Sequence, residues 1–258
     1  MILSSKSIIV AGGTSGIGLD AVLHFRNEGA RVVAVGKDLP PSAVSDNQII
    51  FMQADLREED SIAQAIIRCA DAFGGIDGLF HVAGGSGRSF GDGPLHEMSL
   101  EGWEKTLHLN AGTVMLSNKA FINYCLDRKQ EGAIVNLSSA LTARPYPQYF
   151  STHAYAAAKA AVEGLSLAAA SQYAKHNIRI NVISPGLTDT PMAKRALSNE
   201  LIMTKVRSKQ QLQGGRAVHT MDIAPMAALL LSDSGNFITG QNIRIDGGWS
   251  VTEIENHA

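Results

Sequence analysis

Short apolar segments alternate with amphipathic helical segments from one end of the chain to the other. The apolar segments predict seven strands, near Ile8, Val32, Ile50, Leu79, Ile134, Ile180 and Ile243. Strands that alternate with helices imply a mainly parallel sheet with right-handed crossovers and helices on both faces. No repeat or linker divides the chain into separate domains. The pattern therefore predicts one doubly wound α/β domain over residues 1–258.

A glycine-rich turn joins the first predicted strand, Ser7–Ala11, to a segment with helical periodicity over Leu19–Asn27. The turn reads Gly12-Gly13-Thr14-Ser15-Gly16-Ile17-Gly18. We expect its first glycine to permit a tight turn, its third to let a pyrophosphate approach the backbone, and its last to allow close helix–strand packing. The unpaired N–H groups at the helix start attract anions, so the turn predicts a dinucleotide phosphate site.

Tyr155 and Lys159 are four residues apart in an Ala-rich helical stretch. This spacing brings a phenol and an ammonium to one face of a helix. A nearby ammonium favours the phenolate, so we expect the pKa of Tyr155 to be lower than its reference of about 10. The pair predicts acid–base chemistry, although the same spacing is common on solvated helix faces.

Three more segments contain candidate residues for the same site. Asn110 lies in His108–Gly112, Ser139 ends the apolar run that begins at Ile134, and the turn Pro185–Thr190 follows another apolar run. Together with the glycine turn and Gly240–Gly248, they match the motifs of one family in order along the chain. The chain resembles the short-chain dehydrogenase/reductase family in its single-domain, Rossmann-type branch. That family's catalytic quartet is matched by Asn110, Ser139, Tyr155 and Lys159.

The resemblance implies a role for each member of the quartet. Tyr155 exchanges a proton with the substrate oxygen, Ser139 holds that oxygen by a hydrogen bond, and Lys159 binds the nicotinamide ribose and lowers the tyrosine pKa. Asn110 anchors a water that connects Lys159 to solvent. In the turn after the sixth strand, Thr190 holds the carboxamide and Thr188 assists.

The chain departs from the family pattern at three places. Ala11 stands where a threonine is usual, and His81-Val82-Ala83-Gly84 replaces the usual Asn-Asn-Ala-Gly. We interpret His81 as a core residue that keeps a hydrogen bond. The segment from Ser139 to Tyr155 is longer than usual, which leaves Ser138 as a competitor for the catalytic hydroxyl.

The end of the second strand indicates the cofactor. Gly36 occupies the position of the acid that binds the ribose hydroxyls in NAD enzymes, and Lys37 follows where NADP-using relatives often have a basic residue. NADP(H) is favoured, and NAD(H) is the alternative because Asp38 adds a negative charge. The residues that the resemblance assigns to the dinucleotide are Gly12, Thr14, Ser15, Gly16, Ile17, Gly18, Gly36, Lys37, Asp55, Leu56, Ala83, Gly84, Asn110, Tyr155, Lys159, Pro185, Gly186, Thr188 and Thr190.

Two segments interrupt the alternation and are candidates for the substrate site. Gly84–Pro94 is too rich in glycine for regular structure and follows the fourth strand. The region 187–215 corresponds to the family's mobile substrate lid. Its Met and basic side chains suit a substrate with an apolar part and an anionic group, although runs of charge are usually solvated surface.

Composition and charge indicate which classes of binding partner are expected. The net charge is −2, and no basic cluster or zinc-type Cys/His spacing is present, so neither a nucleic-acid partner nor a metal is expected. The two cysteines, Cys69 and Cys125, are interpreted as buried thiols rather than a disulfide framework.

The start of the chain lacks the pattern of a signal peptide and no segment is apolar enough for a membrane span, so we expect a cytoplasmic protein. The family commonly forms tetramers, and the small-residue face Ala156, Ala160, Gly164 and Ala168 would suit a homotetramer or homodimer.

The predicted function is NAD(P)-dependent hydride transfer between nicotinamide and a carbonyl or secondary alcohol of a small molecule. A catalytically silent dinucleotide sensor is an alternative, but the quartet is intact. An enoyl reductase or an epimerase on the same fold is another. Enoyl reductases of the related branch usually space tyrosine and lysine more widely, and epimerases are usually longer.

Overall fold

The computed structural model describes residues 1–39 and 46–252, and its centre is a seven-stranded sheet. The strands are β1 Ser7–Ala11, β2 Arg31–Gly36, β3 Ile49–Gln53, β4 Gly78–His81, β5 Gly132–Leu137, β6 Ile178–Pro185 and β7 Asn242–Ile245. Their order is β3-β2-β1-β4-β5-β6-β7, and every neighbouring pair is parallel. All seven predicted strands and the doubly wound parallel architecture are confirmed.

The helices connect successive strands across both faces of this sheet. They are α1 Gly16–Asn27, α2 Glu59–Phe73, α3 Leu100–Leu107, α4 Thr113–Arg128, α5 His153–Tyr173, α6 Lys194–Leu197, α7 Glu200–Lys209 and α8 Thr220–Leu231. A single π-helical turn, His108–Gly112, joins α3 to α4. Helix α1 begins at Gly16, so the last glycine of the predicted turn belongs to the first helical turn instead of the loop.

The alternating side chains of the strands supply two separate cores. In β1, Ile8 and Val10 pack with α1 and α8 on one face, whereas Ile9 packs with α2, α4 and α5 on the other. Both faces of the sheet are covered, which is why the strands read as continuous apolar runs. Phe25 and Phe80, with ring centroids 5.8 Å apart, lie in the first core.

A third, smaller apolar cluster lies over the carboxyl-terminal edge of the sheet. It joins side chains of α6 and α7, including Ala196 and Val206, to Trp249 and to Ala140 after β5. Trp249 is only 2% exposed. The region 187–215 is therefore built as a separate layer that packs on the ends of the strands.

The two cysteines are free and buried, as the sequence predicts. Burial raises the pKa of the Cys69 and Cys125 thiols to about 12 each. Within residues 1–39 and 46–252, no helix is long and apolar enough to cross a bilayer.

Candidate active site

A cavity of about 850 Å³ opens at the carboxyl-terminal edge of the sheet. The strand order changes direction there, between β1 and β4, and ligands of open parallel sheets bind at such a switch point. Of the residues that the sequence assigns to catalysis or to the dinucleotide, all line this cavity except Gly18 and Asn110. Seven segments distant in sequence are thus brought together at one site.

The glycine turn has the geometry that a phosphate cradle needs. Gly12 has a φ of 90°, and a Cβ there would lie 2.6 Å from the Ala83 nitrogen. A Cβ on Gly18 would lie 1.9 Å from the Gly12 oxygen, so only glycine lets α1 approach the turn. Ser15 precedes α1 and makes no side-chain hydrogen bond to it, which leaves the first N–H groups of the helix available to an anion. The chain therefore fits a dinucleotide pyrophosphate at this point.

The adenosine end of the cavity is formed by β2 and by the segment after β3. A Cβ on Gly36 would lie 2.0 Å from Thr14 Oγ1, so an acidic side chain at residue 36 does not fit beside Thr14. Lys37 lines the cavity with an exposed side chain. Asp55 forms a bidentate ion pair with Arg57, and the hydrogen bonds from Arg57 lower the pKa of the Asp55 carboxyl to about 2.

The turn after β6 faces the glycine turn across the cavity. Thr190 Cγ2 lies 3.5 Å from where a Gly16 Cβ would be. Thr188 Oγ1 donates a hydrogen bond to the Gly186 carbonyl at 3.0 Å. Gly16 and Thr190 are therefore close neighbours, where the phosphate turn meets the expected nicotinamide end.

Tyr155 and Lys159 lie on the first turns of α5. The Lys159 side chain is buried, with Nζ 5.8 Å from the Tyr155 ring centroid. Nζ donates a hydrogen bond to the Leu137 carbonyl at the end of β5, at 2.9 Å. This bond fixes the ammonium between the strand end and the tyrosine.

The expected lowering of the tyrosine pKa is wrong in direction for this structure. Burial raises the pKa of Tyr155, and a hydrogen bond with the Ser139 side chain offsets only part of that rise. Burial also lowers the pKa of Lys159 to about 8. Removal from water penalises the charged form of each group, which raises the pKa of the phenol and lowers that of the ammonium.

The two serines after β5 have different partners. Ser138 Oγ lies 2.6 Å from Glu163 Oε1 and 3.1 Å from the Lys159 carbonyl, so it is tied to the middle of α5. Ser139 Oγ accepts a hydrogen bond from the Leu141 N–H and interacts with the Tyr155 phenol. Ser139 is thus the serine that shares the substrate end of the cavity with Tyr155.

Asn110 lies behind the cavity wall in the π-helical turn, fully buried. Its side-chain amide bonds both backbone groups of Gly85, donating to the carbonyl at 3.0 Å and accepting from the N–H at 3.1 Å. A Cβ on Gly84 would lie 2.6 Å from Asn110 Oδ1 and 3.4 Å from Lys159 Nζ. Any side chain at residue 84 would therefore clash with Asn110 Oδ1.

His81 ends β4 and is 1% exposed. Its Nε2 lies 3.3 Å from Thr113 Oγ1, at the start of α4. Burial and, to a smaller extent, the Lys159 charge lower the pKa of His81 to about 3, so the ring is neutral. The hydrogen bond to Thr113 agrees with the interpretation of His81 as a core residue.

The sequence did not indicate several residues that line the cavity, namely Leu141, Phe150 and Trp249. Arg88 and Phe90 also line it, and they belong to Gly84–Pro94, the segment predicted as a candidate for the substrate site. The contacts of Asp92, in the same segment, were not predicted. Its carboxylate accepts the backbone N–H groups of Ala154 and Tyr155 at 2.9 and 3.0 Å. In the part of the chain that the structure describes, no three His, Cys, Asp or Glu side chains group as a metal site.

Comparison with known proteins identifies this arrangement. A family model described as Enoyl-(Acyl carrier protein) reductase matches residues 11–250. The 2,5-dichloro-2,5-cyclohexadiene-1,4-diol dehydrogenase of Sphingobium indicum is 35% identical over 254 residues, which cover 96% of this chain and 98% of that protein. The cis-4-hydroxycyclohexanecarboxylate dehydrogenase of Sinomonas cyclohexanicum is 31% identical over 254 residues, with the same two coverages.

A solved structure agrees with these relatives. The short-chain type dehydrogenase/reductase from Mycobacterium ulcerans superposes with a TM-score of 0.87 at 27% identity, covering 98% of this chain and 92% of that one. Both of these relatives are named as dehydrogenases, so the enoyl reductase and sensor alternatives are not favoured. The chain belongs to the short-chain dehydrogenase/reductase family, as an oxidoreductase that binds a nicotinamide dinucleotide and acts on CH–OH groups.

Proposed function

We propose that this chain interconverts a secondary alcohol and a ketone on a six-membered carbon ring, with NADP(H) as the hydride carrier and Tyr155 as the acid and base. The observation that carries the proposal is the shared cavity, in which Tyr155, Ser139 and Lys159 line the same space as the glycine turn. Both curated relatives described above are named for substrates in which a six-membered ring carries hydroxyl groups.

The acid–base step uses the two hydroxyl groups at the substrate end. In the direction of reduction, a nicotinamide held beside Thr188 and Thr190 would supply the hydride to the carbonyl carbon. Tyr155 Oη donates its proton to the oxygen that gains charge, and Ser139 Oγ holds the same oxygen by a hydrogen bond. Because burial raises the pKa of Tyr155, the phenol is protonated before the step, as an acid must be.

Lys159 and Asn110 would restore the proton. Lys159 Nζ lies 5.8 Å from the Tyr155 ring centroid, and both Nζ and Asn110 Oδ1 lie beside Gly84. A water bonded to both atoms would have polar partners on two sides. In this role Lys159 also binds the nicotinamide ribose, and the Thr188 and Thr190 turn holds the carboxamide.

NADP(H) is the proposed form of the cofactor. No carboxylate fits at residue 36, so the group that would bind a free ribose 2′-hydroxyl and repel a phosphate is missing there. Lys37 supplies a cation at the same edge of the cavity. The Arg57 guanidinium, in contrast, is already neutralised by Asp55.

The apolar side chains at the substrate end support a ring as the substrate body. Phe90, Leu141, Phe150 and Met192 line the cavity around Tyr155 and Ser139. Helices α6 and α7 would act as a lid over this end. They pack on the sheet mainly through one small apolar cluster, so their opening would leave the two large cores intact.

The test of the proposal is oxidation of a panel of cyclic secondary alcohols by the purified protein, with Tyr155→Phe alongside. We expect the substitution to lower kcat by about a thousandfold or more, because the ring stays while its proton is lost. Dinucleotide binding, followed by nicotinamide fluorescence, should change by less than about threefold. A wild type that binds the dinucleotide but turns over no alcohol or ketone would contradict the proposal.

The cofactor preference is tested with Lys37→Gln. Loss of one charged partner of a phosphate should raise the KM for NADP+ by about tenfold or more, since a hydrogen bond to a charged group contributes about 1.5–3 kcal/mol. The KM for NAD+ should hardly change. An equal effect on both dinucleotides, or a wild-type preference for NAD+, would show that Lys37 does not read the phosphate.

A further inference from the structure

Two arginines from different segments meet at the mouth of the cavity. Arg88 belongs to the glycine-rich segment after β4, and Arg195 belongs to α6. Nη2 of Arg88 donates to the Tyr149 carbonyl at 3.4 Å, and Nη2 of Arg195 donates to the same carbonyl at 3.2 Å. Both side chains line the cavity that contains Tyr155 and Ser139.

Neither charge is neutralised within the described part of the chain. No carboxylate of residues 1–39 or 46–252 forms an ion pair with Arg88 or Arg195, whereas Arg26, Arg57, Arg207 and Arg216 each have one. A guanidinium carries five N–H donors, and within those residues each of the two arginines uses one. Burial and then the Arg195 charge lower the pKa of Arg88, while the carboxylate of Asp92 opposes this only in part. Two like charges held on one carbonyl form a site that an anion would stabilise.

The surroundings of the pair separate it from the phosphate turn. Tyr149 belongs to the segment between Ser139 and Tyr155, and the next residue, Phe150, packs edge-on against Trp249 with ring centroids 6.0 Å apart. The cavity wall near the arginines is apolar, with Phe90 and Phe150 among its lining residues. The glycine turn instead faces Thr190.

We propose that Arg88 and Arg195 bind a carboxylate on the substrate, so that the enzyme acts on ring alcohols or ketones that carry an acid group away from the reacting carbon. The inference rests on the proposed function, because the ring and its hydroxyl occupy the space between Tyr155 and the arginines. A planar guanidinium can donate two parallel hydrogen bonds to a carboxylate. Each arginine can exchange its hydrogen bond to the Tyr149 carbonyl for such bonds without breaking an ion pair. A phosphate of the dinucleotide is the competing occupant and is an outcome of the test.

The test compares 4-hydroxycyclohexanecarboxylate with its uncharged methyl ester in wild type, Arg88→Gln, Arg195→Gln and the double variant. We expect the wild type to prefer the acid, and the ratio of kcat/KM for acid over ester to fall about tenfold for each single variant. The effect should appear as a higher KM for the acid, while the KM for the dinucleotide stays within about twofold. Lys194→Gln is the matched control, since it removes an adjacent positive charge from α6 that does not line the cavity; its ratio should equal that of the wild type.

Other outcomes separate the two proposals. If neither compound nor its ketone is turned over with either dinucleotide, the proposed function fails. If both are turned over and the arginine variants leave the acid-to-ester ratio unchanged, the carboxylate site is wrong while the proposed function stands. A rise in the KM for the dinucleotide with no change in the ratio would assign the arginines to its phosphates and overturn the inference. Inhibition by cyclohexanecarboxylate, which has no hydroxyl to oxidise, should weaken in the same variants.

Discussion

At the scale of single residues, the neighbouring hydroxyls of Ser138 and Ser139 show how position decides role. Glu163 Oε1 accepts hydrogen bonds from the hydroxyls of both Ser138 and Thr142, at 2.6 Å each, so these side chains fasten the strand end to α5. The Ser139 hydroxyl, one residue later, lies in the extended segment next to the phenol of Tyr155. Ser138 therefore has a structural role, whereas we propose that Ser139 binds the substrate oxygen.

The buried ammonium of Lys159 should make stability depend on pH. Its pKa is lowered from 10.5 to about 8 by burial, so between these values the unfolded chain binds a proton that the folded chain does not. Stability therefore rises with pH in this window, and the cost of burying the charge is fully present below pH 8. Relative to Lys159→Met, the free energy of unfolding of the wild type should rise by roughly 2 kcal/mol between pH 7.5 and 9.5.

Urea unfolding at several pH values measures this difference. The measurements stay below pH 10, because burial raises the pKa of Tyr155 and stability is lost above the pH at which the unfolded phenol ionises. Parallel curves for the wild type and Lys159→Met would show that the ammonium is not desolvated in the folded protein.

At the scale of elements, the start of α5 depends on a residue from a distant loop. Thr152 precedes the helix and makes no side-chain cap, whereas Asp92 accepts the N–H groups of Ala154 and Tyr155. A carboxylate at a helix N-terminus satisfies unpaired donors and interacts favourably with the helix dipole. The glycine-rich segment after β4 is thereby attached to the helix that carries the tyrosine, and we infer that Asp92 positions Tyr155.

Substitution of Asp92 should therefore affect both stability and rate. Asp92→Ala leaves two N–H groups without their acceptor, so we expect the free energy of unfolding to fall by about 1–2 kcal/mol. We expect kcat to fall about tenfold because the phenol is less well oriented, and Asp92→Asn, which keeps one acceptor, should recover part of both losses.

The control is Ser232→Ala, which removes a buried hydroxyl that accepts the Ser234 N–H at 3.2 Å and does not line the cavity. It should cost similar stability and leave kcat unchanged. If Asp92→Ala loses stability without losing kcat, the carboxylate has only a structural role. Denaturant unfolding and steady-state kinetics on the same preparations distinguish these results.

At the scale of the whole molecule, the outer face of α5 has the character of an interface. Ala160, Gly164 and Ala168 are exposed on it, and Leu167 beside them is 61% exposed. Apart from the backbone of α5 itself, no atom of the described residues lies within 4 Å of where a Gly164 Cβ would be, so another chain could approach this surface closely. Together with the family resemblance, the face supports the proposal of a homotetramer or homodimer.

Light scattering on the eluting protein tests the assembly. We expect the wild type to have a mass of four, or at least two, chains of 27.4 kDa. Gly164→Arg should reduce that mass, since the new side chain fits the open space of a single chain but blocks close contact with a second one. A wild type that elutes as a single chain, or an unchanged mass in the variant, would exclude this face as the interface.

Much of the fold could be predicted because its signals are local. The five inner strands of the sheet are largely buried on both faces, and the crossover helices begin near a recognisable change of period, so the order of elements follows from the chain. The glycine turn and the spacing of Tyr155 and Lys159 are also local, since a turn and a helix face are set by residues close in sequence. These local signals were therefore enough to predict the architecture, the proposed dinucleotide end of the cavity and the helix that carries Tyr155 and Lys159.

The residues of the proposed substrate end and the charge states of the buried groups depend, in contrast, on contacts between distant parts of the chain. The direction of the Tyr155 pKa depends on burial by elements far along the chain, which a four-residue spacing does not contain. Asp92 caps a helix more than sixty residues away, and Arg88 and Arg195 meet on one carbonyl although 107 positions separate them. Such contacts depend on how loops fold over the sheet, and no local pattern of residue types records that geometry.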